Sequence, residues 1–337
     1  MIAKLTQILF FSLAAFVVSY LLYPVYIKVL KKLKAGQQIR EAAWSGEASI
    51  FKELHAHKAG TPTMGIFLIV MAMMVIISMI LQYYGYINNS LFNRSETYVL
   101  IFAFFSMGIL LVDDYLNIKG KGDVKLTSKI KFIWMFLFSG FISRWFYEKL
   151  GIDYLNLRPF AGEVDLGLAL PLITFVFTVL VNAVNITDLD GLVLILMVLL
   201  VIGVMAFISQ WYLATTLIGI IISLVAFLRY NINPAKIFMG DAGSLGLGLV
   251  ATMVYLLNIN TIIIPFLILF SIFWLEITSL LQMIWKKVFK KKLFTIAPYH
   301  HSLEKKGMEE HSIVMKFWLI QILGAIALMM LFYQYSL

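Results

Sequence analysis

The chain has 337 residues, of which 61% are hydrophobic and only 13% charged, and it carries a formal net charge of +9. That is more apolar surface than a water-soluble core can hide, so composition excludes an ordinary soluble domain and points to a polytopic membrane protein. The absence of cysteine also excludes disulfides, thiolate metal sites and a cysteine nucleophile.

A bilayer crossing takes about 20 apolar residues. Ten such stretches are expected, at 6–28, 64–84, 97–112, 130–147, 168–187, 191–209, 211–229, 244–258, 261–285 and 315–335. The first lies within MIAKLTQILFFSLAAFVVSYLLYPVYIKVL, which is too long for a signal-peptide core and lacks a clear cleavage site. The apolar stretch 191–229 is divided at the polar SQWY of 209–212, because it is too long for one crossing at about 1.5 Å per residue. No internal repeat or low-complexity linker interrupts the pattern. The expected fold class is therefore all-α, a single transmembrane helical domain over residues 1–337. The loop 148–167, with its Gly and Pro, is expected to hold a small hairpin.

Numbering the loops alternately places 22 of the 27 Lys and Arg residues on one side, in 28–63, 113–131, 188–190, 229–243 and 286–316. The positive-inside rule makes that side cytoplasmic and puts both termini outside. It explains the positive charge without a nucleic-acid partner.

The residues with chemical potential fall on the same side. The first such loop ends in AHKAGTPTMG, 56–65, where Lys58, Gly60, Thr61 and Thr63 can line a polyanion pocket and Pro62 marks a helix start. In LVDDYLNIKGKG, 111–122, a hydrocarbon run ends in the paired carboxylates Asp113 and Asp114, read either as a solvated helix end or as catalytic acids. Lys125, Lys129 and Lys131 follow. Lys129 and Lys131 can face phosphate from the next helix start, or simply be positive-inside charge.

In NAVNITDLDGL, 182–192, Asn182, Asn185, Thr187, Asp188 and Asp190 break the apolar pattern. Polar groups at membrane depth face a bundle interior or cavity; the alternative is a capped helix–turn–helix corner. NINPAKIFMGDAGSLGLG, 231–248, is more specific. Asn231 and Pro234 set a turn, and Gly240, Asp241, Gly243 and Ser244 put a carboxylate and backbone N–H groups at a helix N-terminus. This suits a phosphate with bound Mg²⁺, whereas the plainer reading is an N-cap by Asp241.

Glu276 lies inside the expected ninth span and suggests a broken or tilted helix. KKVFKKK, 286–292, reads as an anchor at anionic headgroups. TIAPYHHSLEKKGMEEHSIVMKFW, 295–318, holds three of the five histidines. The adjacent His300 and His301 suit phosphate contact or proton transfer, and the spacing is a weak zinc signal. Together, several Asp, Lys and His residues and a Gly-rich helix start converge on one membrane face, as phosphoryl chemistry on a membrane-bound substrate requires.

VDDYLNI with LTSKIKF, NAVNITDLDGL, NINPAKIFMGDAGSLGLG and APYHHSLEKKG, in that order, resemble the motifs of the bacterial phospho-N-acetylmuramoyl-pentapeptide transferases, a branch of the polyprenyl-phosphate N-acetylhexosamine-1-phosphate transferase superfamily. GQQIREAAWSGEASIFKELHAHKAGTPTMG resembles their first cytoplasmic loop, so the likeness runs from about residue 36 to 318. The resemblance implies a ten-helix, usually dimeric, Mg²⁺-dependent enzyme of the bacterial plasma membrane. It implies transfer of phospho-MurNAc-pentapeptide from UDP-MurNAc-pentapeptide to undecaprenyl phosphate, giving lipid I and UMP for the cell wall.

By the same resemblance, Asp113 and Asp114 match the adjacent aspartates, one of which activates the lipid phosphate. Asp241 matches the Mg²⁺ ligand. Asn185, Asp188 and Asp190 match a uridine-side cluster, and Asn231, Phe238 and Ser244 match the nucleotide pocket. Lys58 and Thr63 match first-loop contacts and Gln282 a pocket glutamine. His300 and His301 match the first two positions of a three-histidine motif. Lys129 or Lys131 would offset charge at the pyrophosphate.

Three departures stand out. TDLDGL lacks one Gly of the family's T-D-G-L-D-G-L, so Asp188 and Asp190 are two apart, a spacing that does not share a helix face. Ser302 replaces the third histidine, and GTPTMGIF has one Gly where two are usual. They bear on turnover rather than on fold. The competing expectations are a sister transferase that uses UDP-GlcNAc, a weakened or inactive relative, and, from another class, a transporter.

Overall fold

The computed structural model describes residues 2–36, 58–69, 107–116, 128–151, 154–156, 162–182, 198–199, 201–203, 211–257, 267, 270, 277–278, 281–282, 284–294 and 298–336. Asn185, Asp188, Asp190 and Glu276 lie outside them. Seven helices are followed below: α1 (Ile2–Lys32), α2 (Ser128–Leu150), α3 (Leu170–Asn182), α4 (Trp211–Asn231), α5 (Asp241–Leu257), α6 (Tyr299–Lys305) and α7 (Glu310–Ser336). Between α2 and α3, β1 (Tyr154–Asn156) and β2 (Glu163–Asp165) form the expected antiparallel hairpin, with Leu155 opposite Val164.

The helices coincide with six of the apolar stretches and extend most of them by a few residues. Residues 107–116 are also helical. That helix runs past the expected end at 112, so Asp113 and Asp114 lie within it and are 2% and 5% exposed. They are not a solvated helix end. Around position 62 the sequence reading is corrected too. Pro62 is paired with Gly36 in an isolated bridge, and helix begins only at 66, because the chain before it is bonded to backbone on both sides and turns at Met64, where φ is 71°.

Helix α5 is the central element. Every residue from Ala242 to Leu256 is buried, which matches a sequence apolar on all sides. It packs against α3, and the aromatic rings of Phe177 and Tyr255 stack there with centroids 4.2 Å apart. Close approach to the 107–116 helix relies on Gly246, where a Cβ would fall 2.3 Å from Met107 Cγ. Several polar side chains within these helices bond within the helix layer. Thr178 donates to the Thr174 carbonyl at 2.8 Å, Thr252 to Gly248 at 3.0 Å, and Ser139 of α2 donates to Thr178 Oγ1 of α3 at 3.0 Å. Apolar surroundings require this, since they offer no water to such groups.

On the other side α1 packs on α4. Pro24 lies inside α1 and has no N–H, so it leaves the Tyr20 carbonyl one turn earlier without its helical donor. The Tyr230 hydroxyl of α4 donates to that carbonyl at 3.2 Å. The outward faces are apolar: Leu13, Leu21 and Val25 of α1, Phe136 of α2 and Leu323 and Met330 of α7 are all exposed. Among the described residues, one helical stretch, Glu310–Phe332, is long and apolar enough to cross a bilayer by itself. Gly167–Val179, Leu217–Asn231 and Asp241–Leu256 are shorter apolar helices.

Candidate active site

The polar end of the bundle is assembled from backbone. After α1, the carbonyl of Ala35 accepts the Thr63 N–H at 3.0 Å. On the opposite edge of the 61–66 segment, Phe238 N–H donates to the Pro62 carbonyl at 2.7 Å, Gly65 N–H to the Phe238 carbonyl at 2.8 Å and Ile66 N–H to Met239 at 3.3 Å. Two tyrosines at the end of α1 secure the same segment: Tyr23 donates to the Gly65 carbonyl at 3.0 Å and Tyr26 to that of Met64 at 3.1 Å. The 61–66 segment and the turn before α5 are thereby held as one unit.

That turn is closed internally. Asn231, almost fully buried, donates through Nδ2 to the Ile237 carbonyl at 3.2 Å, and Lys236 N–H returns to the Tyr230 carbonyl at 2.8 Å. The peptide bond between Asn233 and Pro234 is cis. At Gly240 the chain takes φ +86° and enters α5, with the Gly240 carbonyl accepting the N–H groups of Gly243 and Ser244. The Ser244 hydroxyl is turned back on the carbonyls of Gly240 and Asp241, both at 3.3 Å.

A glycine at this position has no side chain with which to cap the orphan N–H groups of the first turn. Asp114 does so from another helix: its Oδ2 accepts the Ala242 N–H at 3.1 Å across 128 residues of sequence. The contact is close. A Cβ on Gly240 would lie 2.5 Å from Asp114 Oδ2 and 3.2 Å from Thr63 Oγ1, and the positive φ also favours glycine. The plainer sequence reading of Asp241 as the cap is thus replaced. Asp241 is the first helical residue, half-buried, and the capping oxygen comes from Asp114. Neighbouring residues on a helix point about 100° apart, so Asp113 and Asp114 address different directions.

A second junction lies along the same unit. Lys58, 7% exposed, extends its ammonium to Glu310 Oε1 at 3.0 Å and lies 6.0 Å from the Phe238 ring centroid. Glu310 Oε2 accepts from Asn233 Nδ2 at 2.9 Å. Glu310 opens α7, and α6, which carries His300 and His301, packs on α7. Both histidines are buried with ring centroids 4.1 Å apart, and His301 Nδ1 lies 2.8 Å from Glu304 Oε2. The Tyr299 N–H donates to Thr278 Oγ1 at 3.0 Å.

Thr63, Asp114, Asp241, Ser244, Asn231, Phe238 and Lys58 are therefore brought to one continuous polar unit. His300 and His301 connect to it through α7. Gln282 has a different setting: Oε1 accepts the N–H groups of Leu293 and Phe294 at 3.0 and 2.8 Å, and Nε2 donates to the Phe294 carbonyl at 3.1 Å. It clamps the chain after the 284–289 helix. Lys129 and Lys131 fall in the first turn of α2, where only their backbone is described. Sequence reasoning passed over Glu310, Asn233, Glu304 and the two tyrosines. Their local signals, a carboxylate in a helix first turn and tyrosines at a span end, do not reveal partners up to 252 residues away.

The carboxylates also bear on the expected cation. Among the described residues, no group of three or more His, Cys, Asp or Glu side chains forms a ready-made metal cage. Mg²⁺ is usually held by one or two carboxylates together with substrate phosphates and water, so a partly open Asp241 beside Asp114 fits that mode.

The Glycosyl transferase family 4 model matches residues 96–259, which include the aspartate pair, the 182–192 segment and all of α5. The phospho-N-acetylmuramoyl-pentapeptide-transferase of Clostridium acetobutylicum is 35% identical over 323 aligned positions, covering 94% of this chain and 96% of the relative. The enzyme of that name from Listeria monocytogenes serotype 4b is 35% identical over 326 positions, with 93% and 94% covered. That from Thermoanaerobacter pseudethanolicus is 32% identical, with 98% and 100% covered. With relatives at least 32% identical matching nearly end to end, the chain belongs to the phospho-N-acetylmuramoyl-pentapeptide transferase family.

Proposed function

We propose that this protein transfers phospho-MurNAc-pentapeptide from UDP-MurNAc-pentapeptide to undecaprenyl phosphate, forming lipid I and releasing UMP in peptidoglycan synthesis. The observation that carries the reading is the contact of Asp114 with the N-terminus of α5, which puts the paired aspartates beside Asp241.

An oxygen of undecaprenyl phosphate attacks the β-phosphorus of the donor. The bond from that phosphorus to the bridging oxygen breaks, and UMP departs with the oxygen. Asp114 is committed to the α5 amide, so Asp113, about 100° around the helix, is assigned to orient or deprotonate the acceptor phosphate. Asp241 is the residue assigned to hold Mg²⁺, which when bound offsets the charge of the pyrophosphate. Lys58, Thr63, Asn231, Phe238 and Ser244 form the donor side, together with Asn185, Asp188 and Asp190. His300 and His301, with Lys129 and Lys131, complete the cationic surroundings. Gln282 supports that pocket by holding 293–294 in place.

In the bilayer the chain takes ten spans with both termini outside and the site on the cytoplasmic face, and it works as a homodimer in the bacterial plasma membrane. The charge asymmetry of the loops supports that orientation. The deciding experiment is UMP release by purified protein with Mg²⁺ and undecaprenyl phosphate. Release with UDP-MurNAc-pentapeptide is expected; release only with UDP-GlcNAc would move the chain to the sister activity. Asp241→Asn is expected to lower Mg²⁺-dependent release on the order of 10³-fold, the loss of several kcal/mol of charge stabilisation. Full activity in that variant would remove Asp241 from the metal site.

A further inference from the structure

Glu310 lies in the 295–318 stretch but is not among the candidate site residues of the sequence, yet two distant segments meet at its carboxylate. One oxygen takes Lys58 Nζ at 3.0 Å and the other takes Asn233 Nδ2 at 2.9 Å. The side chains of Lys58 and Glu310 are only 8% and 6% exposed, so the pair is shielded from water. A buried ion pair is weak evidence for stability, since apolar groups of similar volume often serve as well. What it supplies is direction. A lysine ammonium sits on a flexible four-carbon stem with large rotamer entropy. Here Glu310 holds it beside the Phe238 ring, while Asn233 fixes the orientation of the carboxylate itself. An ammonium has three donors, and the bond to Glu310 uses one and sets the axis for the others.

We propose that Glu310, backed by Asn233, is a positioning residue of the transfer reaction, one that aims the Lys58 ammonium at the diphosphate of the nucleotide donor. The inference rests on the reading of Lys58 as a donor contact. It adds the last helix of the chain to the machinery of donor recognition. Because Glu310 acts through Lys58, its removal changes donor affinity and leaves acceptor affinity alone. For the same reason its effect vanishes once Lys58 is gone.

The test is a double-mutant cycle on full-length protein in lipid nanodiscs, with wild type, Glu310→Gln, Lys58→Met and the double variant. Donor affinity is read by calorimetry with UDP-MurNAc-pentapeptide, KM and kcat by UMP release, and folding by thermal midpoint. Glu310→Gln is expected to weaken donor binding and raise donor KM by about 10- to 100-fold, the loss of one charge-assisted contact. Its kcat and its KM for undecaprenyl phosphate should stay within about 3-fold, well under the tenfold that one such contact commands. In the Lys58→Met background the same change should add less than about 2-fold, since coupled residues are not additive. Equal effects in both backgrounds, or a fall in kcat at constant KM, overturn the proposal. Should Glu310→Gln not fold, Asn233→Ala enters the cycle in its place with the same expected pattern. Donor binding by a wild-type protein that releases no UMP would sink the transferase reading while leaving this inference to the affinities. A wild type that does not bind the donor would sink both.

Discussion

Asp114 and Glu310 are both buried carboxylates at the polar end of the bundle, and they use their charge differently. Asp114 accepts a backbone N–H from the first turn of α5, across a gap that admits no side chain at Gly240. Glu310 meets another full charge, Lys58, and an amide from Asn233. The first junction depends on shape and a hydrogen-bond acceptor; the second depends on mutual neutralisation. A helix N-terminus carries only partial positive charge, so a neutral acceptor can replace a carboxylate there at modest cost. A buried ammonium offers no such tolerance.

Changes at Lys58, Gly240, Asp114 and Arg144 sharpen or break this contrast. Lys58→Met should destabilise most, by about 3–5 kcal/mol, because it strands the Glu310 carboxylate in a buried setting. Chemical denaturation in detergent reads that loss, and adding Glu310→Met should recover most of it. A single variant that costs less than about 1 kcal/mol, the size of an exposed pair, would show that water reaches the site.

Gly240→Ala comes next, with an expected cost of at least about 2 kcal/mol from the left-handed backbone and the collision with Asp114. Its thermal midpoint should fall, and a midpoint equal to wild type would mean that the Asp114 contact is loose.

At Asp114 itself the two replacements should diverge. Asp114→Leu leaves the Ala242 N–H unsatisfied and should cost about 1–3 kcal/mol, whereas Asp114→Asn keeps an acceptor and should cost less than about 1 kcal/mol. Equal losses would make the charge of Asp114 the essential property and erase the difference from Glu310. The smallest effect is expected at Arg144→Ala, which removes the exposed pair to Glu148 one helical turn away. Such surface pairs contribute about 0.5 kcal/mol or less, so the midpoint should hardly move.

The long apolar runs were legible because bilayer thickness and helical rise translate directly into residue counts. The hairpin at 154–165 followed from the polar, Gly- and Pro-containing loop in which it sits. Less visible was the end of the third stretch. A hydropathy reading stops at the first charges, but the helix continues through Asp113 and Asp114 because burial against α5 gives Asp114 a partner. Pro62 misled for a related reason: proline suits a helix start and equally an extended segment, and the pairing with Gly36 and Phe238 selects the second.

Amino-acid order alone determined the membrane class, the positions of the six long apolar helices and the family, since each rests on local composition or on short motifs in sequence order. The capping of α5 by a distant carboxylate and the Lys58–Glu310–Asn233 junction were decided only by tertiary structure. A hydrogen bond or buried ion pair is a relation between two groups a few ångströms apart. No local pattern encodes which of several carboxylates will arrive beside a helix start more than a hundred residues away.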